Sequence, residues 1–399
     1  MKLGVAFIAA VTITAFASPF GGADPGRVVK GNNRFGFDLY RRLAGKDGNL
    51  FLSPYSISTA LAMTSAGAKG ETAEQMTHVL HFPPQTELHP ALARIMHEIN
   101  AGGAKKAYQL STANALWGAS DCVFRREFLK LVKDNYGAEL TNLDFTRDAE
   151  GARHTINSWV EKKTNDKIKD LIGEGVLNSR TRLVLTNAIY FKGKWEAAFN
   201  KDWTKDEPFR VAAGNEVKTP LMHQKDRFGY AANDEFQALE MPYNGKELAL
   251  LILLPRKDDV ADLEKKLTAE LIDGVVAKLV RQEVLVYVPR FKTTAEFKLS
   301  TTLAQMGMPL AFSDKADFSG MTTASEPLQI SDVIHKAFVD VNEEGTEAAA
   351  ATGVVVALAA ARQPMPVPVL RADHPFIYLI RDVKNGSVLF IGRLADPTK

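Results

Sequence analysis

The 399-residue chain contains a single cysteine, Cys122, so no intrachain disulfide can form and burial alone must hold the fold. Cys122 follows Ala119-Ser120-Asp121, a polar stretch, and reads as an ordinary side chain rather than a redox centre. An excess of one charge is also lacking. The 49 basic and 47 acidic residues nearly cancel, which removes the electrostatic basis for binding nucleic acid or an anionic membrane. Catalytic signatures are equally scarce. Gly-x-Ser-x-Gly does not occur, His97-Glu98 lacks the second histidine of a zinc helix, and His78 with His81 is the one close histidine pair. Neither Gly-x-x-x-x-Gly-Lys nor Gly-x-Gly-x-x-Gly is present. Hydrolase-elbow, zinc-protease and nucleotide chemistry therefore have no foothold, and no enzyme activity, metal or cofactor is expected.

Long apolar runs are absent except at the amino end, where Lys2 precedes about 15 mainly apolar residues from Leu3 to Ala17. This length suits a secretory signal and falls short of the ~20 residues a spanning helix needs. Small residues at Ala15 and Ala17 predict cleavage after residue 17, and Gly21-Gly22-Ala23 allows it as late as 23. A secreted protein, extracellular or periplasmic and with no membrane anchor, is the expectation. After residue 24 no linker, low-complexity tract or repeat divides the chain, so residues 24–399 are read as one domain.

Helix and strand signals interleave irregularly. Phe35, Leu39 and Leu43 form a helical stripe, Ser53-Pro54 a cap and first turn, and Ala152, Ile156, Trp159 and Val160 another stripe. Short branched or aromatic runs at 182–191, 248–254, 283–288 and 376–380 read as strands. Because the order is no regular strand–helix alternation, the expected class is α+β, with mixed, mainly antiparallel sheets and surrounding helices. Asn385-Gly386 between two apolar runs predicts a tight primed hairpin turn, which also accounts for the glycosylation-like Asn385-Gly386-Ser387.

The most informative stretch runs from Glu343 to Arg362. It joins an alanine run to a valine triplet, with Glu347 the one charge between Thr346 and Ala361. In strand geometry Thr346, Ala348, Ala350, Thr352, Val354 and Val356 share a face free of charge, while Glu347 lies on the other. A simple linker needs no such phase relation.

Glu343-Glu344-Gly345-Thr346-Glu347 and the following Ala348 to Thr352 resemble the proximal hinge of inhibitory serpins. Asn187 to Trp195 resembles that family's central-sheet segment, Ser53-Pro54-Tyr55-Ser56-Ile57 its early helix, and His374-Pro375-Phe376 with Phe390-Ile391-Gly392-Arg393 its carboxyl end. The resemblance implies a serpin fold with an exposed reactive-centre loop and a suicide-substrate inhibitor of a serine protease. The protease serine attacks the loop, and the cleaved loop enters the central sheet as a new strand. It implies a shutter of Ser53, Ser56, Asn187 and His335, and a breach of Trp195, Arg290 and Glu343 in which Glu343 pairs with Arg290. Its hinge would comprise Glu343, Gly345, Thr346, Ala348, Ala350 and Thr352.

Counting about fourteen positions on from Gly345 reaches the bond Ala359–Ala360, which suits an elastase-like or subtilisin-like protease. Counting back from Pro375-Phe376 finds a longer loop and leaves Arg362 open for trypsin-like targets and Leu358 for chymotrypsin-like ones. A binding or carrier protein of the same family is the rival reading, yet residues 346–352 contain neither proline nor an inward charge. Leu88 to Asn100 carries only Arg94 as a full positive charge and Lys105-Lys106 is a short pair, so no polyanion site is expected. The partner expected is a protease, and the chain itself a monomer.

Overall fold

The computed structural model describes residues 24–104, 108–138, 140–212, 215–257, 259–323, 328–346 and 367–399. The expected signal segment, whether it ends at 17 or 23, lies outside them. Their strands form two sheets. The six-stranded sheet has the order β10 (Phe291–Lys298), β11 (Asp332–Asn342), β12 (Gly345–Thr346), β4 (Leu183–Lys194), β2 (Tyr108–Ala119) and β3 (Leu140–Leu143). The nine-stranded sheet has the order β1 (Leu50–Leu52), β15 (Val388–Leu394), β14 (Phe376–Asp382), β8 (Leu248–Pro255), β7 (Phe236–Pro242), β6 (Asn215–Ala232), β9 (Val280–Pro289) and β13 (Val369–Arg371), with β5 (Lys205–Ala212) also on β6. Pairing is antiparallel except at β11–β4, β2–β3 and β13–β9.

Among the described residues the helices are α1 (Pro25–Leu43), α2 (Pro54–Ser65), α3 (Gly70–Leu80), α4 (Gln85–Ala104), α5 (Arg126–Tyr136), α6 (Ala149–Lys163), α7 (Ala261–Lys266), α8 (Ala269–Val276) and α9 (Ser300–Met306). Local chemistry starts them. Asp24 accepts the Gly26 N–H at 2.9 Å ahead of Pro25, and Ser53 accepts the Ser56 N–H at 3.1 Å ahead of Pro54. Asp148 caps α6 through the Gly151 N–H at 2.8 Å.

Strand alternation distributes the apolar side chains between two cores. In β4, Val184 and Ala188 join Ala152, Ile156 and Val160 of α6 in the smaller core on one face of the six-stranded sheet. Leu183, Leu185, Ile189 and Phe191 project to the opposite face, into the larger core between the sheets. Helix α2 runs through that larger core and is buried along its whole length. Its small residues, from Ser56 to Ser65, let β4, β2 and β15 pack close to it.

The β14–β15 connection corrects one expectation. Asn385-Gly386 is not a two-residue primed turn, because only Gly386 has a positive φ (+79°) and Asn385 does not. Asp382 and Ser387 flank a wider loop, with the Asp382 N–H on the Ser387 carbonyl at 2.9 Å. The Asp382 carboxylate accepts the N–H groups of Lys384 (2.8 Å) and Asn385 (3.0 Å). With an acid satisfying those donors, one left-handed residue is enough to close the loop.

Candidate functional site

The site begins with the parity of two strands. Asn187 in β4 shares a face with Leu185 and Ile189, and His335 in β11 shares one with Val333 and Ala337, so both polar side chains enter the larger core. The parallel register sets them directly opposite each other, and Asn114 of β2 lies opposite Asn187 on its other side. Three adjacent strands thus present one polar row to the amino end of α2.

The row is closed by hydrogen bonds. The Ser53 N–H donates to His335 Nε2 at 3.1 Å, so Nε2 is the acceptor and the ring proton sits on Nδ1, which donates to Asn187 Oδ1. Asn187 Nδ2 donates to Ser56 Oγ and to Asn114 Oδ1, both at 2.6 Å, and Ser56 Oγ donates to Asn114 Oδ1 at 3.0 Å. Ser53 Oγ donates to the Leu389 carbonyl of β15 at 2.6 Å, tying the row to the other sheet. Burial pushes the His335 imidazole down to about 3, against the opposing effect of its Asn187 bond. The ring is neutral and the row is held by uncharged groups.

Above this row the sheet parts. Parallel pairing of β11 with β4 ends at Phe338 opposite Tyr190, and farther up Gly345 and Thr346 lie between the two strands. Thr346 pairs with Val341 on one side and Gly193 on the other, is fully buried, and shares a 2.7 Å hydroxyl contact with Tyr243. Gly345 has φ +151°, and a Cβ there would lie 2.0 Å from the Gly193 carbonyl oxygen, so only glycine fits.

The turn that feeds this short strand is gripped from one side. Trp195 stacks on Tyr243 with centroids 4.7 Å apart, and its Nε1–H donates to the Asn342 carbonyl at 2.9 Å. The N–H groups of Trp195 and Phe199 donate to the carbonyls of Glu344 (2.9 Å) and Glu343 (2.8 Å). Glu343, 2% exposed, accepts from Arg290 Nη2 and, at 2.7 Å, from Thr204 Oγ1. Burial works to raise the Glu343 pKa, but these donors win and hold the carboxyl below its ordinary value.

Ser53, Ser56, Asn187 and His335 therefore meet in one cluster, and Trp195, Arg290, Glu343, Gly345 and Thr346 in a second one higher in the same sheet. Ala348, Ala350, Thr352, Leu358, Ala359, Ala360 and Arg362 lie outside the described residues. Sequence reasoning missed Asn114, Thr204, Tyr243 and Lys201, the last of which forms an ion pair with Glu344. Asn114 carries a weak signal, since it falls on the face of Leu110 and Leu116 in an alternating strand. The other three arrive from distant segments and carry none. Among the described residues no cluster of three or more His, Cys, Asp or Glu is placed to hold a metal, and no helix is long and apolar enough to cross a membrane.

A family profile described as serpin (serine protease inhibitor) matches residues 30–397. The chain belongs to the serpin family. A leukocyte elastase inhibitor of Bos taurus is 44% identical over 379 residues, covering 92% of this chain and 98% of that protein. Among solved structures, a serpin of the insect Tenebrio molitor, described as highly specific, matches at TM-score 0.84 and 32% identity over 94% of this chain and 100% of its own. Human thyroxine-binding globulin complexed with thyroxine matches at TM-score 0.85 and 31% identity, again over 94% and 100%. The family thus includes a protein described as an elastase inhibitor and one described as a thyroxine-binding globulin.

Proposed function

We propose that this serpin inhibits its serine protease as a suicide substrate, the cleaved loop entering the six-stranded sheet between β11 and β4. The seating of Gly345 and Thr346 between those strands carries the reading, because it supplies the first residues of the inserted strand in register. Continued downward in the inserted strand, that register would set Ala348 between Val339 and Phe191, Ala350 between Ala337 and Ile189, and Thr352 between His335 and Asn187. The inward face then meets the larger core, and Glu347 stays on the opposite face. About fourteen residues of strand would carry the protease roughly 46 Å.

In this reading Ser53, Ser56, Asn187 and His335 are the shutter that opens below, and Trp195, Arg290 and Glu343 the breach that holds the top. Glu343, Gly345, Thr346, Ala348, Ala350 and Thr352 form the hinge. Cleavage at Ala359–Ala360 fits an elastase-like or subtilisin-like target, and similarity to a leukocyte elastase inhibitor supports the former. Arg362 and Leu358 are the alternative bait residues. The inhibitor acts as a monomer, one domain over residues 24–399, exported by the segment ending at 17 or 23. Amino-terminal sequencing of the exported protein tests that last point, and an intact Met1 overturns it.

The decisive experiment mixes the protein with elastase, subtilisin and trypsin and resolves the products on denaturing gels. Expected is a denaturant-resistant complex with elastase and release of a carboxyl-terminal peptide beginning at Ala360. Loop cleavage by every protease with no such complex overturns the inhibitory reading, and a peptide beginning at Gln363 reassigns the bait to Arg362.

A further inference from the structure

We infer that Lys201 is a positioning residue for the hinge: by pairing with Glu344 it keeps Gly345 and Thr346 seated, and so sets how often attack on the loop ends in inhibition rather than simple cleavage. The inference rests on the suicide-substrate reading and adds to it a residue outside the shutter and breach assigned above.

Glu344 is an unusual place for a charge. Its side chain is 11% exposed, and Oε2 is buried with no hydrogen-bond partner. Oε1 accepts from Lys201 Nζ, its one ion-pair partner among the described residues. Without Lys201 the carboxylate would be left nearly buried and uncompensated, and the turn would swing outward to hydrate it. That movement drags Gly345, the next residue, out of its slot between Asn342 and Lys194.

The element that carries Lys201 is itself anchored. Asn200 Oδ1 accepts the Asp202 N–H at 3.0 Å, and Thr204 Oγ1 donates to Glu343. Between them the Trp203 ring stacks on His223 of β6 with centroids 5.9 Å apart, and His223 stacks on Tyr287 of β9 at 5.2 Å. Lys201 is therefore presented from the nine-stranded sheet to a turn of the six-stranded one.

Seating matters because insertion competes with hydrolysis of the acyl-enzyme. A strand that starts from two residues already paired on both sides needs no new nucleus, whereas an unseated turn must order those residues first. Slower insertion lengthens the time in which water can release the protease. The rate of loop recognition, by contrast, does not depend on the turn.

Lys201→Ala is expected to raise the excess over one in the number of inhibitor molecules consumed per elastase inactivated by about two- to fivefold, the range an ion pair of this kind supports. The association rate should stay constant. Lys201→Arg should restore the wild-type ratio, as should the exchanged pair Lys201→Glu with Glu344→Lys. An unchanged ratio in Lys201→Ala overturns the assignment, and so does an elevated ratio that neither rescue lowers. Hydrogen exchange at the Gly345 and Thr346 amides reads the seating without any protease and should quicken in Lys201→Ala and recover in Lys201→Arg. If the wild-type chain forms no covalent complex, the inhibitory reading fails on that result alone; exchange rates indifferent to Lys201 overturn the clamp.

Discussion

At the scale of single residues, Gly345 and His335 impose the sharpest conditions. Gly345 combines a left-handed φ of +151° with a path so close to Gly193 that a Cβ would sit 2.0 Å from its carbonyl oxygen. Gly345→Val would have to lift the strand out of the sheet, so the variant should be cut by elastase as a substrate with little complex formed. Gel analysis reads this directly, and complex formation equal to wild type contradicts it. His335 makes a second prediction through pH. Its pKa is depressed to about 3 in the folded protein, below the ordinary value near 6.5, so the unfolded chain binds the extra proton between those limits. Its contribution to stability is present above about pH 6.5 and is lost as pH falls toward 3, at up to about 1.4 kcal/mol per pH unit. Urea unfolding of His335→Gln should therefore show a flatter pH dependence in that window than wild type; identical slopes would show that another group titrates there.

At the scale of elements, the seam between β11 and β4 is where the loop must fit. If the inserted strand continues the register of Gly345 and Thr346, Thr352 would come to lie between His335 and Asn187, which bond to each other in the intact protein. On insertion a hydroxyl at that rung replaces the bond it separates, whereas Thr352→Val leaves His335 Nδ1–H and Asn187 Oδ1 buried without partners. The loss of about 1–3 kcal/mol should lower the thermal midpoint of the cleaved form and leave the intact form unchanged. Equal shifts in both forms would show that the register is wrong. Much of this seam was legible in the sequence, because alternation fixes which face Asn187, His335 and Thr346 occupy once the strands are recognised. What alternation does not encode is which strands are neighbours, so Asn114, Tyr243, Thr204 and Lys201 went unnoticed although each contacts a residue singled out by the sequence. The hairpin at Asp382 shows the converse limit. Asn385-Gly386 is a strong turn signal, but the acid three residues earlier chose the wider loop.

At the scale of the whole molecule, the fold carries no covalent restraint against parting its own sheet. One cysteine permits no disulfide, and the β11–β4 contact consists of seven facing residue pairs, from Asp332 with Val184 to Phe338 with Tyr190, over a row of neutral side chains. Insertion replaces that one ladder by two antiparallel ones and buries Ala348, Ala350, Thr352, Val354 and Val356, each valine contributing about 1.5–3 kcal/mol. In the uncut chain both ends of the loop are fixed, Thr346 in the six-stranded sheet and Val369 to Arg371 against β9 in the other, so this gain stays out of reach until the loop is cut. The intact protein is then metastable, and cutting should raise its thermal midpoint by about 1–2 °C for each kcal/mol by which the new ladders and buried side chains outweigh the ~1–2 kcal/mol per residue of ordering the strand. Calorimetry of the intact chain and of the chain nicked within 347–366 measures the difference. A higher midpoint with no covalent complex would leave insertion standing and deny inhibition, whereas equal midpoints would remove the energy source on which trapping depends.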